Sequence, residues 1–150
     1  MVAYGFQRRF VEPILAGTKG GTIRAPRRQP RRGQFQFAAA RPGGHARPDE
    51  DIQLYVGMRT SRCRLITRKR CLVTERIRLA FIPERIYFRN RVTGEEEFVV
   101  EDDELDVFAR FDGFADYTAM ADFWRATHGD PNFDGWHIRW LPLPDLWRDA

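Results

Sequence analysis

A lysine, a threonine and an arginine crowd into one short stretch, Thr18-Lys19-Gly20-Gly21-Thr22-Ile23-Arg24. The glycines make a turn. The residues after them form an extended segment whose period of two puts Thr22 and Arg24 on one face and Ile23 on the other. A threonine hydroxyl is a weak nucleophile until a neighbour takes its proton. A lysine amine whose pKa is pulled down by burial or by a nearby cation such as Arg24 can be that neighbour. A lysine that stays cationic would instead steady the oxyanion formed when an amide carbonyl is attacked. Either use requires the Lys19 amine to lie near the Thr22 hydroxyl. The plain alternative is a solvated turn followed by the start of a strand. Arg24 likewise has two uses, a clamp on a phosphate or nucleobase carbonyl, or a partner for the acidic second half of the chain.

The elements that would position these residues are legible in the apolar pattern. Val2, Tyr4 and Phe6 alternate as a short strand. Phe10, Val11, Ile14 and Leu15 then recur at helical spacing, with Pro13 compatible with a first turn and Gly17 as the stop. Ile52, Leu54 and Val56 alternate up to Gly57, and residues 63–81 are strand-rich, with Arg62, Arg64, Arg68, Arg70, Arg76 and Arg78 on the outward side. Residues 86–88 and 98–100 flank Val92-Thr93-Gly94, a hairpin turn by composition. Helical periodicity follows at 102–110 and 116–127, with Asp116 as N-cap and Gly129 as stop, and between the two lies the tight turn Phe111-Asp112-Gly113-Phe114. A last strand covers 136–141. Strand, helix, several antiparallel strands, two helices and a strand make a small barrel-like α+β domain. The chain's 150 residues suit one such domain, 1–150, with a single core.

Charge is segregated along the chain. Residues 1–92 hold 21 lysines and arginines against 6 acids, while residues 93–150 hold 4 against 15. A basic half of this kind suggests a surface for a polyanion, most simply nucleic acid; the bland reading is surface pairing between the halves. The densest basic part, about residues 25–48, carries Arg27, Arg28, Arg31, Arg32, Arg41 and Arg47 with several prolines and glycines, and reads as a long mobile loop. Phe35 and Phe37 either pin that loop to the body or stack on bases.

Residues 14–24 (ILAGTKGGTIR) resemble the signature of the ASCH family (activating-signal-cointegrator homology), small barrels of the PUA-like superfamily. That signature is a helix ending in glycine, then lysine, two variable residues, threonine, a branched apolar residue and arginine. The likeness runs more loosely through strand 52–56, the Asp112-Gly113-Phe114 turn before the helix bearing Met120, Phe123 and Trp124, and the closing strand. It implies a small PUA-like β-barrel with flanking helices, and a cleft that binds RNA or a modified nucleoside. One small bacterial branch removes the acetyl group from N4-acetylcytidine, and other members are described as ribonucleases.

Carried over, Lys19 and Thr22 fall on the lysine and threonine of the amidohydrolase branch, and Asp112 falls near its catalytic glutamate. The implied catalytic set is Lys19, Thr22 and Asp112, the last as proton shuttle to the departing amine. Arg24, Arg27, Arg28, Arg31 and Arg32 would hold the nucleic acid. Aspartate is shorter than glutamate by about 1.5 Å, enough to spoil a hydrogen bond unless the backbone compensates. The alternative for Asp112 is a turn residue. Gly20 and Gly21 stand where branched residues are more usual, and make the turn more flexible at an entropic cost.

Other chemistries have little support. His45, His128 and His137 lack metal-ligand spacing and read as satisfied or surface groups; no metal and no cofactor is implied. Cys63 and Cys71 read as small apolar residues in adjacent strand segments. Trp124, Trp136, Trp140 and Trp147 read first as core, with Trp136 the best candidate for stacking on a base. No long apolar run and no signal-like start is present, so the expectation is a cytoplasmic protein without a membrane span. A protein adaptor using the acidic 95–106 segment is a further reading.

Overall fold

The structure, a computed structural model, describes residues 1–27, 42–89, 96–128 and 132–144. It is α+β, with two sheets and three α-helices among those residues. β1 (Val2–Phe6) pairs in parallel with β3 (Asp51–Val56), which pairs antiparallel with β4 (Arg64–Arg70). The second sheet has five strands, in the order β2 (Gly21–Arg24), β8 (Asn132–Arg139), β5 (Val73–Phe81), β6 (Glu84–Arg89) and β7 (Glu96–Val100), every pair antiparallel. The helices are α1 (Val11–Ala16), α2 (Glu104–Phe111) and α3 (Tyr117–His128). At the start of α3 the Asp116 carboxylate accepts from the Ala119 N–H at 2.8 Å, the expected N-cap bond.

The strand-rich run 63–81 is two strands in different sheets. The chain changes sheets at Cys71 and Leu72: the Cys71 N–H donates to Glu50 O at 2.9 Å and the Leu72 N–H to Arg139 O at 2.8 Å. One backbone group is thus satisfied by each sheet, which makes this a corner between them. Cys71 is buried there, but Cys63 is exposed, so only one of the two cysteines packs as a small apolar residue. Between the sheets and under the helices lies one core, in which Tyr4, Leu54, Leu79, Phe88, Phe108, Met120 and Ile138 are at most 1% exposed. Each such aliphatic or aromatic side chain contributes about 1.5–3 kcal/mol by leaving water.

Among the described residues, the two sheets do not join through a backbone ladder on the side where β1 and β2 are both edges. Arginine side chains span that seam. Arg24 Nη2 donates to Gly5 O and Arg27 Nη2 to Ala3 O, each at 2.6 Å. Alternate carbonyls of a strand point the same way, so guanidinium groups take the place a neighbouring strand's amides would hold.

The segment expected as a mobile loop over 25–48 is packed at its described ends. Arg27 N donates to Gly43 O at 2.7 Å, and His45 and Ala46 are buried. The His45 ring bridges Tyr4 Oη (3.1 Å to Nδ1) and Ala25 O (2.8 Å to Nε2), and Tyr4 Oη also accepts from the Ala46 N–H. Phe35, Phe37, Arg41, the Val92-Thr93-Gly94 turn, Gly129 and Trp147 lie outside the described residues. No helix among the described residues is long and apolar enough to cross a membrane.

Candidate functional site

The turn between α1 and β2 aims Lys19 inward. Gly17 closes α1 in the left-handed conformation (φ 78°), and the N–H groups of Thr18 and Lys19 both donate to Pro13 O at 3.0 Å. Gly20 and Gly21 then lie against the body. A Cβ on Gly20 would collide with the Phe111 ring and sit 2.7 Å from Leu141 Cβ; one on Gly21 would sit 2.6 Å from His137 Nε2. The expectation of a loose glycine turn is therefore corrected. These glycines are required by close packing, and Gly20 is further fixed by bonds to Phe111 O and from the N–H groups of Trp140 and Leu141.

Packed this way, the 2%-exposed Lys19 amine reaches the C-terminal end of α2. It donates to Gly21 O at 2.7 Å and to the carbonyl of Asp112, the residue that caps α2. A cation at a helix C-terminus meets the negative end of the helix dipole. Gly113 follows at φ 97°, and a Cβ there would lie 2.8 Å from Lys19 Cδ, so this left-handed turn both ends the helix and admits the lysine stem. The Asp112 carboxylate is 3.8 Å from the amine through Oδ1. That is an ion pair beyond hydrogen-bond length.

Burial lowers the Lys19 pKa to about 8; Asp112 opposes the shift, while Arg24 and Arg9 add to it. Near neutral pH the amine is thus a cation that gives up its proton far more readily than an ordinary lysine. Its Nζ also lies 4.8 Å from the centre of the Phe10 ring. Thr22 lies close by, but no hydrogen bond joins Thr22 Oγ1 to the Lys19 amine. The hydroxyl accepts from Arg24 Nε at 3.1 Å. Arg24 itself stacks on Phe6 at 4.8 Å and bonds Gly5 O, leaving further N–H groups for a ligand.

Lys19, Thr22, Arg24 and Asp112 line one pocket of about 330 Å³ between β1, β2 and the helices. Its walls are aromatic: Phe6, Phe10, Phe114, Phe123 and Trp124. The four residues read from the sequence therefore share a cavity, without the direct lysine–threonine bond that a resting catalytic pair would make. Arg27 is exposed, turned onto Ala3 O and 4.7 Å from the centre of the Tyr4 ring. Arg28, Arg31 and Arg32 lie outside the described residues.

Sequence reasoning missed His137. Expected among satisfied or surface groups, it is fully buried, with Nε2 3.5 Å from Asp112 Oδ1 and with the rings of Phe88, Phe108 and Phe111 around it. Among the described residues neither ring nitrogen, nor Asp112 Oδ1, makes a hydrogen bond of good geometry, and the 3.5 Å approach of the two groups is at the limit of one. Burial lowers the His137 pKa against the opposing pull of Asp112, so the ring stays neutral at physiological pH. The one signal was its place inside an aromatic strand, Trp136 to Trp140. Of the aromatic walls, Trp124 reads from the sequence as core, and Phe6, Phe10, Phe114 and Phe123 only as members of their elements and turn. Trp136 is itself nearly buried, so it is not the open stacking platform sought. Among the described residues no group of His, Cys, Asp or Glu could hold a metal ion. Comparison of the chain with family models, with curated proteins and with solved structures finds no match.

Proposed function

We propose that the cleft binds a nucleobase or nucleoside, carried on RNA or modified, in a domain of ASCH-like, PUA-like architecture. The observation that carries this reading is the pairing of a cationic floor with aromatic walls in a pocket of about 330 Å³. Rings on the walls suit the face of a base, and the donors of Lys19 and Arg24 suit its carbonyl oxygens or a phosphate. The volume lies at the small end of ligand pockets, where a base with or without its ribose fits. The two-sheet α+β arrangement with its arginine-spanned seam is compatible with a small barrel closed in part by side chains. Calorimetric titration with cytidine, N4-acetylcytidine and a short RNA is the direct test. Binding weakened at least tenfold by Arg24→Ala is the expected result; no binding of any of the three ends the reading.

A second reading, amide hydrolysis of an N4-acylated cytosine nucleoside, is favoured by the Lys19 amine with its pKa of about 8 beside Asp112. In it, Thr22 Oγ1 attacks the acyl carbonyl as its proton passes to neutral Lys19. Arg24 bonds the oxyanion, the C–N bond breaks with a proton delivered to the amine through Asp112, and water releases the acyl group from Thr22 as a carboxylic acid. With two N–H groups donating to Gly21 O and Asp112 O, the neutral amine keeps its lone pair for the Thr22 proton, and the contact has to tighten when substrate completes the site. Conversion of N4-acetylcytidine to cytidine, abolished by Lys19→Ala, is expected; absent turnover, or equal turnover by the variant, rejects hydrolysis and leaves binding.

A further inference from the structure

The sheet face that carries Arg24 holds a second concave site. In the register Arg24 on β2 lies opposite Trp136 on β8, and Trp136 opposite Arg76 on β5. Residues opposite one another on neighbouring strands share a face, so these three form a row across the sheet. Beside the row is a groove of about 530 Å³, with Pro26, Gly43, Arg76, Arg78 and Trp136 on its walls. Ala25 lines the cleft and Pro26 the groove, so consecutive residues divide the two.

The two arginines of the groove are used differently. Arg78 is held by Asp134 through bonds of 2.8 and 3.2 Å. Arg76 has no carboxylate partner among the described residues; its guanidinium lies 5.4 Å from the centre of the Trp136 ring. Gly43 packs on the pyrrole edge of that indole, where a Cβ would collide with it. Trp136 is thus a platform for Arg76, and cannot also serve a base. A guanidinium stacked by one face keeps its planar N–H edge for a ligand, the fork that matches phosphate oxygens. Two strand spacings of about 4.8 Å put Arg76 roughly 10 Å from Arg24, the reach of one or two nucleotide units.

We infer that Arg76, seated on Trp136, binds the backbone phosphate next to a nucleotide whose base occupies the cleft, so the ligand is a single-stranded nucleic acid chain and not a free nucleoside. This rests on the nucleobase reading of the cleft. It is tested by comparing N4-acetylcytidine, titrated by calorimetry, with a short fluorescein-labelled single-stranded RNA, followed by anisotropy at several salt concentrations. Arg76→Ala should weaken the RNA about five- to tenfold at low salt, lower the slope of log affinity against log salt by about one, and leave the nucleoside unaffected. Arg85→Ala, which removes a guanidinium paired to Glu101 at 3.1 Å, serves as the surface-charge control and should change neither. RNA bound no more tightly than the nucleoside, or RNA affinity indifferent to Arg76→Ala, overturns the inference. Arg76-dependent RNA binding that is indifferent to Arg24→Ala upholds a phosphate site in the groove and removes the cleft reading, and with it the placement of a base there. Binding of neither RNA nor nucleoside removes both.

Discussion

Two sets of cations from the same basic half of the chain sit in opposite environments. At the cleft, Lys19 is buried and Arg24 half-buried, each committed to backbone carbonyls and aromatic faces. On β4, the outer edge of the three-stranded sheet, Arg64, Arg68 and Arg70 are exposed, and Arg70 reaches Asp51 at 3.8 Å. Charge in water is cheap and screened; charge in a cavity must be held by specific partners. Charged side chains on an edge strand also disfavour pairing with a further strand. A count of basic residues therefore measures two quantities at once, and only the buried cations can tune chemistry.

The sharpest way to break this contrast is to remove Lys19. Lys19→Met leaves the Asp112 carboxylate and two carbonyls without their cation, and should cost about 3 kcal/mol in urea unfolding. Asp112→Asn added to it should recover part of that loss; full stability in the single variant would mean that Lys19 is not held as described. Next comes the glycine that lets the lysine in. Gly20→Ala forces a methyl into Phe111 and Leu141 and should cost about 2 kcal/mol, read as a lowered midpoint at unchanged slope.

The buried bases set two pH windows of known sign. For His45, burial brings the pKa from 6.5 to about 4. Between these values the unfolded chain binds a proton that the folded one excludes, so stability falls as pH drops through that window. The loss should be about 1–2 kcal/mol, since protonation of Nδ1 ends its acceptance from Tyr4 Oη. Lys19 works from the other side. Its pKa falls from 10.5 to about 8, so its burial penalty is relieved and stability rises as pH climbs between the two. Lys19→Met should flatten the alkaline limb and leave the acid one. The smallest effect belongs to the exposed set. Arg64→Ala and Arg68→Ala should each change unfolding free energy by less than about 0.5 kcal/mol; a larger loss would place them in packing.

The stretch from α1 through β2 was legible because its devices are local: helical spacing, a stop at Gly17, and alternation of Thr22 and Arg24. The N-cap at Asp116 was legible for the same reason. Long-range consequences were not. Nothing near Gly20 announces that Phe111, 91 positions away, presses on it, and nothing near His137 announces a carboxylate 3.5 Å off. The run 63–81 has a continuous strand composition, so the sheet change at Cys71 and Leu72, a matter of which backbone groups lie opposite, left no trace in residue type. The same holds for the arginines of the seam, whose partners are carbonyls and carry no side-chain signature.

That seam has a mechanical consequence. A ladder between two strands opens cooperatively, because each amide bond is held in place by its neighbours. Arg24 and Arg27 instead fasten β1 independently, through side chains whose rotamers exchange far faster than sheets unfold. Arg24 and Gly5 line the cleft whereas Arg27 and Ala3 do not, so releasing Arg24 from Gly5 would loosen the seam beside the pocket while the Arg27 catch and the pairing of β1 with β3 stay intact.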